Sequence, residues 1–420
     1  MPSDTAPLDG MRVLEISSFV AAPLGGLTLA QLGAEIIRID PAGGGADLTR
    51  WPLAPSGTSL YWTGLNKGKR SVTLDFRDPQ TPGIVAGLLA ASGPDGGIVL
   101  TNAAGRDWLS YAELSRHRPD LIHLQIQGRH DGGAAVDYTV NAALGFPLVT
   151  GPAELAGPVN HVLPAWDVAC GLYAATGLLA AERHRRRTGE GRAITLALED
   201  VALAVAGHLG FLGEAQLTGV DRPRIGNHLY GGFARDFEVA GGERIMLVAL
   251  TSRHFRDLAK VTGLAGPLAE LERLLGADFA ADADRYTHRE VIAALLAPWF
   301  AQRTVADLDQ AFAGSSVLWE RYRSFTELVA DPAFAANPVL REIDQPGVGR
   351  LLAPGSPLAQ PGVGEVHPAP ELGADTADVL AALPAGPSAE PAPDAEPATQ
   401  AEPATQAASA DDPRASGAQP

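Results

Sequence analysis

Short apolar runs alternate with longer mixed runs through the first two hundred positions. "MRVLEIS" reads as a strand, "PLGGLTLAQLGA" as a helix closed by Gly33, and "EIIRID" as a second strand stopped by Pro41. "RSVTLDF" is a further strand, "TPGIVAGLLAAS" a helix and "GGIVLTN" a strand. A polar helix around "DWLSYAELSRH" precedes the strand "LIHLQIQG". β-rich runs separated by helical runs predict a largely parallel sheet with helical crossovers. A long helix is expected from about Val168 to Arg187, with a turn at Gly189 and Gly191. "RAITLAL" then reads as a strand and "EDVALAVAGHLGFLGEA" as helical.

After about Thr218 the texture changes. "DRPRIGNHLYGGFARDFEVAGGERIMLVAL" predicts a loop followed by a β-hairpin. Several helices should follow to about Ala330, "HREVIAALLAPWFAQ" among them. The predicted division is an α/β large domain over 1–218, a smaller α+β domain over 219–335, and a return to the large domain over 336–383. "GRLLAPGSPLAQ" is the candidate returning strand. Residues 384–420 are mostly Pro, Ala, Glu, Ser and Thr, with the short repeat "AEPATQAEPATQ". Such a segment cannot repay its ordering entropy and is expected to be a disordered acidic tail.

Composition narrows the classes. The 420 residues are 46% hydrophobic, enough to bury a sizeable core. The formal charge of −17 argues against nonspecific nucleic-acid binding, which needs a basic face. No run approaches the roughly 18 apolar residues of a membrane span, and "MPSDTAPLDG" does not read as a signal peptide. The single cysteine, Cys170, excludes an intrachain disulfide and fits a reducing cytoplasm.

The glycine clusters at 25–26 and 43–45 lack the G-x-G-x-x-G spacing of a dinucleotide site. The second suits a turn with positive φ. There is no G-x-S-x-G elbow and no H-E-x-x-H, so no metal is expected. His161, His184, His208 and His228 read as structural or surface residues, and the cations of "ERHRRRTGEG" suit the last turn of a helix. Asp167 heads the long predicted helix. Aspartate is a favoured N-cap, and a carboxylate there is held ionised by the dipole and free N–H groups. An ionised, positioned carboxylate can also attack an activated acyl group. Residue chemistry alone leaves both roles open.

Three segments in order carry a resemblance. "PLDGMRVLEISSFVAAPLGGLTLAQLGAEIIRIDPAGGGADLTRW", "SLYWTGLNKGKRSVTLDFRDPQ" and "DVACGLYAATGLLAAERHRRRTGEG" resemble the class III CoA-transferases, from about Leu8 to about Leu383. That resemblance implies a Rossmann-like large domain with a smaller α+β domain, and an interlocked homodimer. "GRHDGGAAVDYTVN", "VNHVLPAWD" and "RPRIGNHLYGGFARDFE" further resemble a branch that moves CoA between the two carboxyl groups of one C5 unsaturated dicarboxylate. The substrate would then be an acyl-CoA with no separate acceptor, coenzyme A would belong to the substrate, and no prosthetic group would be needed. An ordinary intermolecular transferase is the first alternative, and a non-catalytic acyl-CoA-binding protein another.

The family's catalytic aspartate corresponds to Asp167, with the implied role of nucleophile. Its CoA-binding positions correspond to Val20, Ala21, Arg38, Leu74, Arg77, Asn102 and Arg106. Val20 stands where formyl-CoA transferase has glutamine, so that polar contact is lost. Trp51 and Tyr61 match aromatics around the acyl pocket. Racemases of the family place a histidine base where Val136 stands, and valine exchanges no proton. Gly231 and Gly232 of "GNHLYGGF" are the expected closing loop, with Arg129, His228 or Tyr230 holding the free carboxylate.

Overall fold

The computed structural model describes residues 5–383 except 359 and 361; the expected disordered tail at 384–420 lies outside the described residues. Six parallel strands form the main sheet: β1 (Arg12–Ile16), β2 (Glu35–Pro41), β3 (Arg70–Leu74), β4 (Ile98–Thr101), β5 (Ile122–Gln127) and β6 (Arg192–Ala197). Their spatial order is β3-β2-β1-β4-β5-β6. The chain therefore runs outward from β1 to β3, returns to the middle, and runs outward again from β4 to β6. The order reverses between β1 and β4, and an open parallel sheet leaves a crevice there, outside the carboxyl ends of its strands.

Adjacent strand residues point to opposite faces, so the central strands β1, β2 and β4 feed two cores. Val13, Ile36, Ile98, Ile122 and Leu124 pack under α1 (Ala21–Ala30) and a later long helix. Leu14, Ile37, Val72 and Val99 pack on the other face, with Val85 and Leu89 of a helix over 81–90. Each fully buried side chain of this kind contributes about 1.5–3 kcal/mol of transfer free energy. The helices after α1 are α2 (Leu60–Leu65), α3 (Thr81–Ala90) and α4 (Tyr111–Leu114), the last two on the second face, then α5 (Asp137–Ala143), α6 (Phe146–Val149), α7 (Ala165–Thr188) and α8 (Leu198–His208). The polar segment at 107–118 forms only a 3₁₀ turn and the four-residue α4.

α7 is the long expected helix. Cys170, Ala174, Leu178 and Ala181 recur at helical spacing and are buried against α1 and the sheet. Two glycines set that closeness. A Cβ at Gly171 would stand 2.7 Å from the carbonyl oxygen of Ala21, and one at Gly25 of α1 would stand 3.1 Å from the carbonyl oxygen of Gly171. Gly189, with φ +77°, ends α7. Gly43 and Gly44 have φ of +91° and +89°, as a turn at 43–45 requires.

A second, three-stranded sheet, ordered β7-β8-β9, is formed by β7 (Phe233–Glu238), β8 (Arg244–Ala249) and β9 (Leu318–Arg321). β7 and β8 are the predicted hairpin. Phe233, Ile245 and Leu247 form a separate core with Leu258, Ile292 and Phe300 from the helices at 252–301. The segment "GRLLAPGSPLAQ" differs from expectation. β11 (Gly349–Pro354) pairs antiparallel with β10 (Leu340–Gln345) and does not join the six-stranded sheet. The chain reaches that sheet through Asp375 and Thr376, which accept the backbone N–H groups of Ser71 and Thr73 at 2.8 and 3.0 Å. No helix among the described residues is long and apolar enough to cross a membrane.

Candidate active site

The loops after β1 and β4 meet at the reversal point. Ser18 donates its N–H to the Asn102 side-chain oxygen at 2.9 Å, and the Asn102 amide donates back to the Ser18 carbonyl at 2.8 Å. These paired bonds tie the two loops at the mouth of the crevice. A cavity of about 670 Å³ opens here, walled by Val20 and Ala21 at the start of α1, Asn102 of the loop after β4, Val136 and Asp137 at the start of α5, and Asp167 of α7. A second cavity of about 630 Å³ shares Asn102, Gln127, Gly128 and Val136 with it and extends to Arg106 and Gly133. Together they run along the carboxyl edge of β4 and β5. That is room for an elongated ligand with its reactive end near Asp167.

Asp167 is not the helix cap. α7 begins three residues before the expected start, so Asp167 lies in its first turn. The cap comes from thirty residues away. Asp137 accepts the N–H groups of Trp166 and Asp167 at 2.7 and 3.2 Å through one carboxylate oxygen. It is 2% exposed, and its other oxygen has no partner among the described residues. The expected ionisation of Asp167 by the helix terminus is therefore corrected. Burial, with the Asp137 charge adding to it, pushes the Asp167 carboxyl up to about 7, against a pull downward from Arg50. A carboxyl so placed is a stronger base and nucleophile once ionised than an ordinary aspartate, and it titrates near neutrality. Burial, and next the nearby Asp167, push the Cys170 thiol up to about 12, so Cys170 is a packing residue and not a rival nucleophile.

A buried ionic cluster lies under the first loop. The β1–β2 register sets Glu15 opposite Arg38. Lys69 donates to both Glu15 oxygens at 2.9 Å, and Arg38 pairs with Asp40 at 2.8 Å and Asp47 at 3.1 Å. Asp47 in turn accepts the Phe19 N–H at 3.1 Å, holding a non-glycine residue at φ +65°. Burial lowers Lys69 to about 8, partly offset by Glu15.

The residues expected from sequence divide into two groups. Asp167, Val20, Ala21, Asn102, Trp51 and Tyr61 share the first cavity, and Arg106 lines the second, its guanidinium 4.6 Å from the Phe76 ring centroid. The others line neither. Arg38 is 1% exposed and consumed by the carboxylates of the cluster, so it supports the loop from below. Leu74 is core. Arg77 turns to solvent and pairs with Asp75 at 3.1 Å. Arg129 pairs with Glu199 at 3.3 Å. His228 pairs with Glu290 at 3.0 Å, and Tyr230 donates to Glu214 beneath the Arg222 guanidinium. Gly231 and Gly232 follow in the same turn before β7 and are absent from the described cavity walls. Sequence reasoning missed Asp137 and Arg50. Arg50 stands in a loop without periodicity, and Asp137 meets α7 only through the fold, so no local spacing marks either.

Comparison with known proteins agrees with this architecture. The model of CoA-transferase family III matches residues 8–376. The chain is 50% identical over 378 residues to 2-methylfumaryl-CoA isomerase of Chloroflexus aurantiacus, covering 89% of this chain and 92% of that one. It is 28% identical over 356 residues to succinyl-CoA–D-citramalate CoA-transferase of the same organism, covering 82% and 85%. A crystal structure of a CAIB/BAIF family protein from Brucella suis superposes with a TM-score of 0.75 at 26% identity, covering 90% of this chain and 100% of that one. With its parallel sheet, its reversal-point crevice and its sequence matched from end to end of the described core, the chain belongs to CoA-transferase family III.

Proposed function

We propose that this enzyme moves coenzyme A between the C1 and C4 carboxyl groups of one molecule of 2-methylfumarate, converting 2-methylfumaryl-CoA to 3-methylfumaryl-CoA. One observation carries the reading: the Asp167 carboxylate lines the cavity at the reversal point, in a chain half identical to an isomerase of that name. Ionised Asp167 would attack the C1 thioester carbonyl, giving a mixed anhydride and CoA thiolate. The thiolate would attack the aspartyl carbonyl, giving an aspartyl-CoA thioester and the free diacid. The diacid would return with its C4 carboxylate, forming the second anhydride and thiolate again. Thiolate attack at C4 would release the product and restore Asp167. Every step exchanges one activated acyl bond for another, so the reading needs no prosthetic group. Its demand on the protein is exclusion of water from the anhydride, which an apolar wall of Val20, Ala21 and Val136 favours once the ligand fills the cavity.

Val136 supports this reading over an acyl-CoA racemase, since the wall position of the racemase base carries no titratable group here. The same proposal includes a homodimer, favoured by the exposed apolar side chains Leu172, Tyr173, Leu209, Leu217 and Val220, and a cytoplasmic location. The test is incubation of the purified protein with 2-methylfumaryl-CoA and ¹³C-labelled free 2-methylfumarate. Unlabelled 3-methylfumaryl-CoA, lost in Asp167→Ala, is the expected result. Label entering the thioester pool at the rate of product formation would show an intermolecular transferase instead.

A further inference from the structure

Among the described residues lining the Asp167 cavity, Arg50 is the only cation. Its backbone is fixed: its N–H donates to the Asp47 carbonyl at 3.2 Å, and the Ser59 hydroxyl donates to its own carbonyl at 2.5 Å. Its guanidinium lies 4.9 Å from the ring centroid of Tyr61 and 5.4 Å from that of Phe19. Neither ring takes its N–H donors, and among the described residues no side chain or carbonyl forms a hydrogen bond or ion pair with them. Arg38 is committed to the buried cluster and Arg129 to Glu199, while Arg106 lines the adjoining cavity, over the Phe76 ring, and not the wall that holds Asp167. A fork of five donors held on aromatic faces beside an apolar wall is preorganised for a carboxylate.

We infer that Arg50 anchors the free carboxylate of the acyl group, so that the cavity selects acyl-CoA esters of dicarboxylic acids over those of monocarboxylic acids. The inference rests on the proposed reaction and adds a retaining device to it. When the thiolate has taken Asp167, the diacid is held by no covalent bond. A guanidinium on one carboxylate keeps it in the cavity while it turns end for end. Because both ends are carboxylates, the same anchor serves before and after the turn. Arg50 forms no covalent bond and transfers no proton. The Arg50 charge also pulls the Asp167 carboxyl downward, which places the two within electrostatic reach across the cavity.

The test is calorimetric binding of succinyl-CoA and butyryl-CoA to the full chain carrying Asp167→Ala, which blocks turnover, with Arg50 intact, Arg50→Gln or Arg50→Lys. These ligands differ in the terminal carboxylate. Arg50→Gln is expected to raise the Kd for succinyl-CoA about 10- to 100-fold, the loss of one charge-assisted pair, and to leave butyryl-CoA binding unchanged. Arg50→Lys should recover part of the loss. Equal weakening of both ligands would show that Arg50 only shapes the loop, and no change in either would remove it from the site; both outcomes overturn the inference. Isomerisation of 2-methylfumaryl-CoA by the wild type is assayed alongside. Dicarboxylate selectivity without isomerisation sinks the proposed reaction and keeps Arg50 as the anchor, while isomerisation without selectivity sinks the anchor alone.

Discussion

Replacing Asp167 by asparagine removes a proton-binding group that the fold makes unusually basic, and stability should record the change. Burial and the Asp137 charge raise the carboxyl from its ordinary 3.8 to about 7. Below pH ~4 the group is protonated in both folded and unfolded chains, so it carries no linkage penalty. Between about 4 and 7 the unfolded chain releases the proton while the folded chain keeps it, and wild-type stability falls as pH rises. Above about 7 the penalty is constant. At about 1.36 kcal/mol per pH unit the ceiling is about 4 kcal/mol. Asp167 retains some solvent contact through the cavity, and screening reduces this to about 2 kcal/mol. The variant keeps nearly the same shape and loses the titration. Urea unfolding of both proteins at intervals from pH 4.5 to 8.5 measures the difference. Asp167→Asn should lie within about 0.5 kcal/mol of wild type near pH 4.5 and be more stable by about 2 kcal/mol at pH 8.5. The same ionisation should appear in catalysis, with wild-type kcat/KM rising through about pH 7 to a plateau, since only the carboxylate attacks. A stability difference that stays flat across this range would refute the raised carboxyl, and with it the account of burial at the head of α7.

Asp137→Asn keeps an oxygen for the Trp166 and Asp167 N–H groups but removes the charge that helps raise Asp167. The acid limb of the kcat/KM profile should move to lower pH, and helix capping should weaken by about 1 kcal/mol, read by thermal unfolding. Gly171→Ala drives a methyl into the Ala21 carbonyl and Leu24, so α1 must shift from α7. It should lose about 1–3 kcal/mol and raise KM, because both helices carry walls of the cavity. Gly177→Ala, whose nearest neighbour would be Leu124 at 3.4 Å, is the control and should be near neutral in both measurements.

The strands and crossovers were legible because burial on both faces writes continuous apolar runs, and the hairpin at 233–249 because its glycines mark the turn. Asp167 was legible as a residue but not in its setting. Capping rules look within one turn of the chain, and the group that caps α7 is the first residue of α5. Arg38 misled for a related reason. An arginine near the end of a predicted strand reads as available to coenzyme A, unless its partners are known. Those partners are Asp40, two positions on, and Asp47 and Glu15, which only the fold brings to it. The returning strand failed because β-propensity gives a strand but not its neighbour; β11 found β10, three residues upstream, instead of the main sheet.

The buried cluster explains why so much charge is kept under an apolar cavity. Two cations and three carboxylates in the interior carry a desolvation penalty that their attraction offsets only in part, so such a cluster is weak support for stability alone. Its position supplies another reason. The register that sets Glu15 beside Arg38 fixes the strand ends, Arg38 fixes Asp47, and Asp47 fixes the Phe19 N–H in a backbone conformation that phenylalanine disfavours. Phe19 then presents its ring to Arg50, and Val20 and Ala21 follow it into the cavity wall. An apolar cluster of the same volume would fill the space but would offer no acceptor to the Phe19 N–H and no fixed angle to the loop. The ionic residues therefore act on the cavity through backbone position, from the central strands of the sheet to the ring beneath Arg50, without any of them reaching a ligand.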